Sequence, residues 1–252
     1  MVKEWLLGLC AVALAGCSTS APDGSPHTAA LPETGPGSLA APAAVAVADP
    51  CADGPAGCRQ VGTADIDGDG APDAVGVATQ GELTTVRVAT AAGVYGYEAT
   101  HNENLVDPRG VLIGAFPISR ARGADLVLHT QLGQGGMDQF VVLGWQGGGL
   151  APVPQPPESW HSGGDNWGFQ QSHGQQTWVT CSSGGSITMN HLKAPVAEGM
   201  PVPGGGILES DHWSFDNGNW SPQGSENVPK TDFNYQFDSH ARTFQCDDQL
   251  RR

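Results

Sequence analysis

Short runs of β-branched and aromatic residues, separated by glycine-rich turns, dominate the chain after residue 50. Helical periodicity is nearly absent from the same region. The runs that predict strands cover residues 83–90, 111–116, 124–130, 140–145 and 177–181. Strands of this length, punctuated by turn residues, are typical of antiparallel all-β folds. The pattern therefore predicts an all-β domain.

One turn is specified with particular clarity. Asp216-Asn217-Gly218-Asn219 stands between Trp213-Ser214-Phe215 and Trp220. Because Asn-Gly accepts positive φ at both central positions, this segment predicts a tight β-hairpin.

The chain begins with an apolar run over residues 5–15 that is too short for a permanent membrane-spanning helix and is typical of a secretory signal peptide. Residues 14–17, Leu-Ala-Gly-Cys, resemble a bacterial lipobox. The resemblance implies a signal peptide over 1–16, cleavage before Cys17 and a diacylglyceryl group on its sulfur. The mature protein would then be anchored by lipid to the outer face of the cytoplasmic membrane, in an extracytoplasmic location. An ordinary signal peptide with an incidental cysteine is the alternative.

Residues 17–50 are rich in Ala, Pro, Gly, Ser and Thr, and they lack aromatic residues. This composition predicts that the lipidated Cys17 is followed by a disordered tether. The tether contains LPETG at 31–35, but a sortase substrate carries that string near its C-terminus, so no sorting role is expected. Residues 51–252 are long enough for one compact domain.

The formal net charge is −15. A surface of this sign disfavours nucleic acid and anionic lipid headgroups as partners, whereas cations suit it.

Four cysteines remain after the signal region: Cys51, Cys58, Cys181 and Cys246. In an exported chain they predict two disulfides, for which three connectivities are open. Pairing Cys51 with Cys58 and Cys181 with Cys246 is the natural choice. A zinc site is the alternative, but the spacing lacks a CxxC pair.

An internal repeat appears when residues 62–75 are aligned with residues 114–127. The matched pairs are Gly62 with Gly114, Ile66 with Ile118, Asp73 with Asp125, and Val75 with Val127. A spacing of this kind suits one four-stranded propeller blade per repeat. In the second copy Pro117, Ser119 and Ala121 replace three aspartates, so only the first copy is expected to hold an ion.

The first copy contains the string DIDGDGAPD over residues 65–73. Its candidate ligands are the carboxylates of Asp65, Asp67, Asp69 and Asp73 and the backbone carbonyl of Ala71. Oxygen ligands around a tight glycine-containing turn suit Ca²⁺, and like charges brought together need a counter-ion. The loop is not an EF-hand, because Gly76 stands where the bidentate glutamate would be. A solvated acidic turn without an ion is the alternative.

The aspartate loop resembles the calcium loop of FG-GAP and VCBS repeats, DxDGDGxxD. Together with the lipobox, it makes the chain similar to bacterial lipoproteins with such repeats, which build integrin-type propellers. The resemblance implies calcium ligation by the four aspartates. Because the chain has room for about four blades, a small or incomplete β-propeller is expected, with a compact β-sandwich as the alternative.

The stretch 159–178 raises the possibility of a glycan site. Trp160, Trp167 and Trp178 would form a stacking platform, while Asp165 and Asn166 would bind hydroxyl groups. The alternative is that these tryptophans fill the core.

Catalytic motifs are missing, since neither a GxSxG elbow nor an HExxH motif occurs. The sequence thus predicts a lipid-anchored, calcium-binding, non-catalytic protein with a binding or structural role at the cell envelope. Its expected partners are the membrane, a cell-wall glycan or another envelope protein, and an extracellular hydrolase is the remaining alternative.

Overall fold

A computed structural model of the chain describes ten segments. They are residues 48–102, 110–120, 122–132, 136–157, 165–171, 174–182, 185–197, 200–201, 205–230 and 243–252. The predicted signal peptide 1–16, the lipidation site Cys17 and most of the predicted tether 17–50 lie outside them. The described residues form sixteen strands and no helix, which confirms the all-β prediction. None of them forms a helix long and apolar enough to cross a membrane.

The first sheet is an antiparallel meander of four consecutive strands. These are β1 (Arg59–Ala64), β2 (Asp73–Gln80), β3 (Leu83–Thr90) and β4 (Gly93–Thr100), in that spatial order. Alternate residues of β3 are buried, with Val86 and Val88 fully enclosed, as the period of a strand requires. This strand order is the one expected of a single propeller blade.

The second sheet repeats the meander and adds one strand. Its strands are β5 (Leu112–Phe116), β6 (Asp125–Leu132), β7 (Met137–Gln146), β8 (Gly149–Pro152) and β9 (Asn166–Gln170). The last part of β7 pairs with β8, and its first part pairs with β9, so the two short strands share one edge of β7.

The aligned segments of the sequence repeat have the same strand register. Gly62 pairs with Val75 in the first sheet, and Gly114 pairs with Val127 in the second. In both sheets the ladder is irregular at the residues immediately before that glycine. The loop that joins the first two strands of each sheet is therefore flanked by strands that pair in the same register in both copies.

The third sheet departs from the meander. In chain order its strands are β10 (Gln175–Ser182), β11 (Ser186–Lys193), β14 (Gly206–Asp216), β15 (Asn219–Lys230) and β16 (Phe244–Gln245). They lie in the order β15-β14-β11-β10-β16, and β16 runs parallel to β10. Between β11 and β14 in the chain, β12 (Val196–Ala197) and β13 (Met200–Pro201) form a separate two-stranded ribbon.

The predicted hairpin joins β14 to β15. Its central residues have positive φ, 50° at Asn217 and 81° at Gly218. Asp216 pairs with Asn219 across the turn, which confirms the two-residue hairpin.

Two hydrophobic cores separate the three sheets into layers. Leu126 and Leu128 of β6 face the first core together with Val86 of β3. Val127 of β6 faces the second core together with Val179 of β10. Both faces of the second sheet are thus covered, which explains why residues 125–130 are all buried. The described residues form three larger sheets, compared with the four blades for which the length has room.

Two disulfides join Cys51 to Cys58 and Cys181 to Cys246, and this confirms the expected pairing. The second bridge attaches the C-terminal segment to β10.

Beyond that bridge the chain runs between β1 and β5. Arg251 and Thr63 exchange two backbone hydrogen bonds of 2.8 Å, and Gln249 N donates to Ala115 O at 2.7 Å. Leu250 belongs to the first core. The last residues therefore connect the first two sheets.

Candidate metal loop and neighbouring clefts

The aspartate loop links the end of β1 to the start of β2. Gly68 and Gly70 have φ of 86° and 90°, a region that a residue with a Cβ rarely adopts. These two glycines allow the backbone to curl around the acidic side chains.

Three of the predicted ligands converge. One carboxylate oxygen from each of Asp65, Asp67 and Asp73 lies within 4.8 Å of the other two. The group presents only oxygen atoms, the ligand type that Ca²⁺ and other hard cations prefer. The donor set thus fits the predicted ion.

The same carboxylates also hold the loop. Asp73 Oδ2 accepts hydrogen bonds from Ile66 N at 2.7 Å and from Asp67 N at 3.1 Å. Asp65 accepts from Gly68 N at 2.8 Å and from Gly70 N at 3.1 Å. Because these donors are backbone amides, the direction of both side chains is set by the fold.

The carboxylate of the fourth aspartate, Asp69, does not belong to this converging group. The carboxylate of Asp69 is exposed and accepts a hydrogen bond from Ala71 N at 2.7 Å. Ala71 is exposed as well. The structure therefore brings together three of the four predicted carboxylate ligands, and ligation by Asp69 and by the Ala71 carbonyl stays a prediction.

Asp73 is the most deeply buried of the three converging aspartates and is only 2% exposed. Burial raises the pKa of its carboxyl above the ordinary value of 3.8, and the negative charges of Asp67 and Asp69 raise it further. Amide hydrogen bonds from Ile66 and Asp67 act in the opposite direction. A bound cation would offset both the burial and the repulsion.

In the second copy of the loop an arginine takes the place of the acidic cluster. Asp125 corresponds to Asp73, and it accepts hydrogen bonds from Ser119 N at 2.6 Å and from Ser119 Oγ at 2.9 Å. Arg120 Nε lies 3.5 Å from Asp125 Oδ1. The guanidinium thus places a positive charge beside Asp125 from within the chain, and the expectation that this copy holds no ion stays a prediction.

Arg120 also joins the two loops. Its Nη2 donates to Ile66 O at 2.6 Å and to Ala124 O at 3.0 Å. In the reverse direction, Ala124 N donates to Asp65 O at 2.7 Å. Sequence reasoning missed this role, although an arginine inside the altered copy of the motif was a signal that could have indicated it.

We expect Arg120→Met to lower the free energy of unfolding by about 2 kcal/mol at neutral pH. The change removes two charge-assisted hydrogen bonds and leaves a buried carboxylate uncompensated, while the 20% exposure of Arg120 moderates the loss. Burial already raises the pKa of Asp125, and Arg120 lowers it. Without Arg120 the folded-state pKa rises further above the unfolded value, so protonation stabilises the variant as the pH falls.

Urea denaturation at pH 7 and at pH 5 measures this effect. The deficit should be smaller at pH 5, and the exposed Arg122→Met should lose less than 0.5 kcal/mol at either pH. Equal losses for the two arginines would contradict the role assigned to Arg120.

The described residues do not form the predicted tryptophan platform. The prediction for Trp167 is wrong, because its side chain is 0% exposed and its Nε1 donates to Val153 O at 2.7 Å. Trp178 is half-buried on β10, next to the core residue Val179 and therefore directed to the opposite face. Trp160 lies outside the described residues.

Asp165 and Asn166 are exposed at the start of β9. Asn166 lines a polar cleft between the first two sheets together with Tyr97 and Glu98. Burial raises the pKa of the Tyr97 hydroxyl, and the charge of Asp165 raises it further. The two residues thus lie beside a tyrosine and not beside the indole of Trp167.

A second cleft lies between the second and third sheets. It has a volume of about 570 Å³ and is lined by Trp145, Gln146, Phe215 and Asp216, among others. The spacing of residues in the sequence does not indicate this site, because its walls come from strands about seventy residues apart.

Comparisons with known proteins provide no assignment: no protein-family profile, curated protein or solved structure matches the chain.

Proposed function

We propose that this chain is a lipid-anchored, extracytoplasmic protein that binds one calcium ion in its aspartate loop and has a non-catalytic role at the cell envelope. The observation that carries the proposal is the convergence of three carboxylates on a loop held by its own backbone amides. Such a group of like charges is stabilised by a divalent cation.

The role of the ion in this proposal is structural. The loop lies between β1 and β2, and its backbone is hydrogen-bonded to residues of the second copy. Neutralising the acidic group would thus stabilise the junction of the first two sheets. The Arg120 guanidinium has the corresponding place in the second copy, which supports a stoichiometry of one ion per chain.

Export and lipid anchoring rest on the sequence. The apolar run at 5–15 is followed by the lipobox-like Cys17, and the two disulfides suit an oxidising compartment. A cell-wall glycan or another envelope protein is the proposed partner, and the net charge of −15 makes nucleic acid unsuitable.

Calcium at ten times its dissociation constant should stabilise the protein by about 1.4 kcal/mol. For a domain of this size the melting temperature then rises by about 3–5 °C. Asp67→Asn should abolish the rise, because it removes one converging charge while the amide can still accept the hydrogen bond from Asp69 N. Differential scanning calorimetry with calcium and with chelator measures the shift, and titration calorimetry measures the stoichiometry.

Two further variants serve as controls for the calcium response of Asp67→Asn. Glu226→Gln removes one charge from an exposed position outside the loop and should keep the full calcium response. Asp69→Asn should reduce the response less than Asp67→Asn does, because the Asp69 carboxylate lies outside the converging group. A wild-type protein indifferent to chelator, or an undiminished response in Asp67→Asn, would refute the proposal.

A further inference from the structure

The cleft between the second and third sheets has the composition of a ligand site. Trp145 extends from the first core and Phe215 from the second, and both side chains are half-buried where they meet the cleft. Aromatic surface is thus presented from two elements, β7 and β14. Tyr95 packs edge-on against Trp145, with ring centroids 4.7 Å apart, and restricts the movement of that indole.

A polar group at the same place has no partner among the described residues. Gln146 Nε2 is buried, and no acceptor in the part of the chain that the structure describes lies within hydrogen-bond distance of it. A buried donor without an acceptor is destabilising, so its retention calls for an explanation. The terminal torsion of a glutamine is soft and Gln146 lines the cleft, so a rotation about this torsion would allow the amide to donate to a ligand bound there.

Acceptors line the rim of the cleft. Asp216 is exposed, and its Oδ2 accepts a hydrogen bond from Asn217 Nδ2 at 3.0 Å. The hairpin turn fixes the backbone at this point. The rim therefore offers a carboxylate oxygen to hydroxyl donors, while Gln146 offers a donor to a hydroxyl oxygen.

The charged residues that line the cleft favour a neutral ligand over an anionic or a cationic one. Arg120 also lines the cleft, but its guanidinium is engaged by Asp125 and by two backbone carbonyls. The rim carboxylate of Asp216 repels anions, and a cationic ligand would leave the Gln146 donor without an acceptor. A neutral polyol has an apolar C–H face for the aromatic rings and hydroxyl groups that both donate and accept.

We propose that this cleft binds a neutral saccharide, with Trp145 and Phe215 as stacking surfaces and Gln146 and Asp216 as hydrogen-bonding groups. The site is separate from the aspartate loop and from the tryptophans at 160–178. It provides the kind of envelope glycan contact that the sequence suggested for the tryptophan-rich stretch, on different residues.

Isothermal titration calorimetry with five neutral oligosaccharides tests the proposal. The probes are cellopentaose, maltopentaose, xylopentaose, mannopentaose and chitotetraose, each titrated into the disulfide-bonded protein at saturating calcium. We expect at least one of them to bind with a dissociation constant of about 1 mM or lower, a free energy within reach of one stacked ring and a few hydrogen bonds. No heat of binding for any of the five would overturn the proposal.

The decisive variant is Gln146→Met, which keeps the size of the side chain and removes its polar atoms. Saccharide affinity should fall about three- to tenfold while the melting temperature stays the same or rises, because an unsatisfied buried donor has been removed. If Gln146 had a purely structural role, its substitution would not lower the saccharide affinity while leaving the melting temperature the same or higher. Asp216→Ala, at an exposed position where the fold tolerates change, should weaken binding by a similar factor.

Control variants lie outside the cleft. Gln176→Met replaces another half-buried glutamine, and Trp178→Leu removes a half-buried indole. Both residues lie on β10 in the third sheet. Both should bind the saccharide as the wild type does. Unchanged affinity in Gln146→Met and Asp216→Ala, or loss of binding in Trp178→Leu alone, would exclude this cleft as the site.

Discussion

Replacing Cys181 and Cys246 together with alanine is expected to lower the free energy of unfolding by about 4 kcal/mol. The two residues are 65 positions apart, so the bridge removes much of the freedom of the unfolded chain. In the folded protein it attaches β16 to β10, a short parallel contact that is further supported by the backbone hydrogen bond from Val179 N to Thr243 O and by the packing of Phe244. The expected loss is a large part of the stability of an ordinary domain.

Urea denaturation of the wild type and the double variant measures this loss. Cys51→Ala/Cys58→Ala is the matched control, because that bridge spans only 7 positions and should contribute about 2.5 kcal/mol. A smaller loss for the long bridge than for the short one would contradict the assignment of the larger stabilisation to Cys181–Cys246.

Trp167→Ala is expected to lower the free energy of unfolding by about 4 kcal/mol. The indole is fully buried in the second core and its ring lies about 6 Å from those of Phe169, Trp220 and Phe244. Truncation leaves a cavity and removes the donor for Val153 O. Chemical denaturation followed by circular dichroism measures the change.

Two further substitutions show how much of this loss comes from the buried volume, how much from the hydrogen bond and how much from the position in the core. Trp167→Phe keeps most of the volume but loses the hydrogen bond, so we expect a loss of about 1–2 kcal/mol. Trp178→Ala, at a half-buried position outside the core, should cost less than Trp167→Ala. If Trp167→Ala unfolded at the same urea concentration as the wild type, the placement of this residue in the core would be wrong.

Part of the local structure was predictable from the sequence, which indicated five of the sixteen strands that the structure describes and one hairpin turn. The run at 83–90 matches β3 along its whole length, and the run at 111–116 differs from β5 by one residue. The Asn217-Gly218 turn has the predicted positive φ values. These features depend on side-chain alternation and on the conformational freedom of a few turn residues, which are properties of short segments.

The candidate metal loop was predictable for a related reason. Its candidate ligands lie within nine consecutive residues, so the convergence of three of them depends on local backbone curvature at Gly68 and Gly70. The separation of Asp69 from the other carboxylates was not predictable, because it depends on a side-chain hydrogen bond to Ala71 N.

The sequence by itself therefore indicated five of the strands, the hairpin and the acidic loop, and it favoured the disulfide pairing that the structure has. Only the tertiary structure decided that Trp167 is a core residue, that Arg120 connects the two loops, and that Trp145 and Phe215 meet across one cleft. The physical reason is that periodicity and turn chemistry act between near neighbours in the chain. The packing of one sheet against another decides whether a tryptophan is buried, which group an arginine contacts and which residues line a cleft. This packing brings together residues that are far apart in sequence.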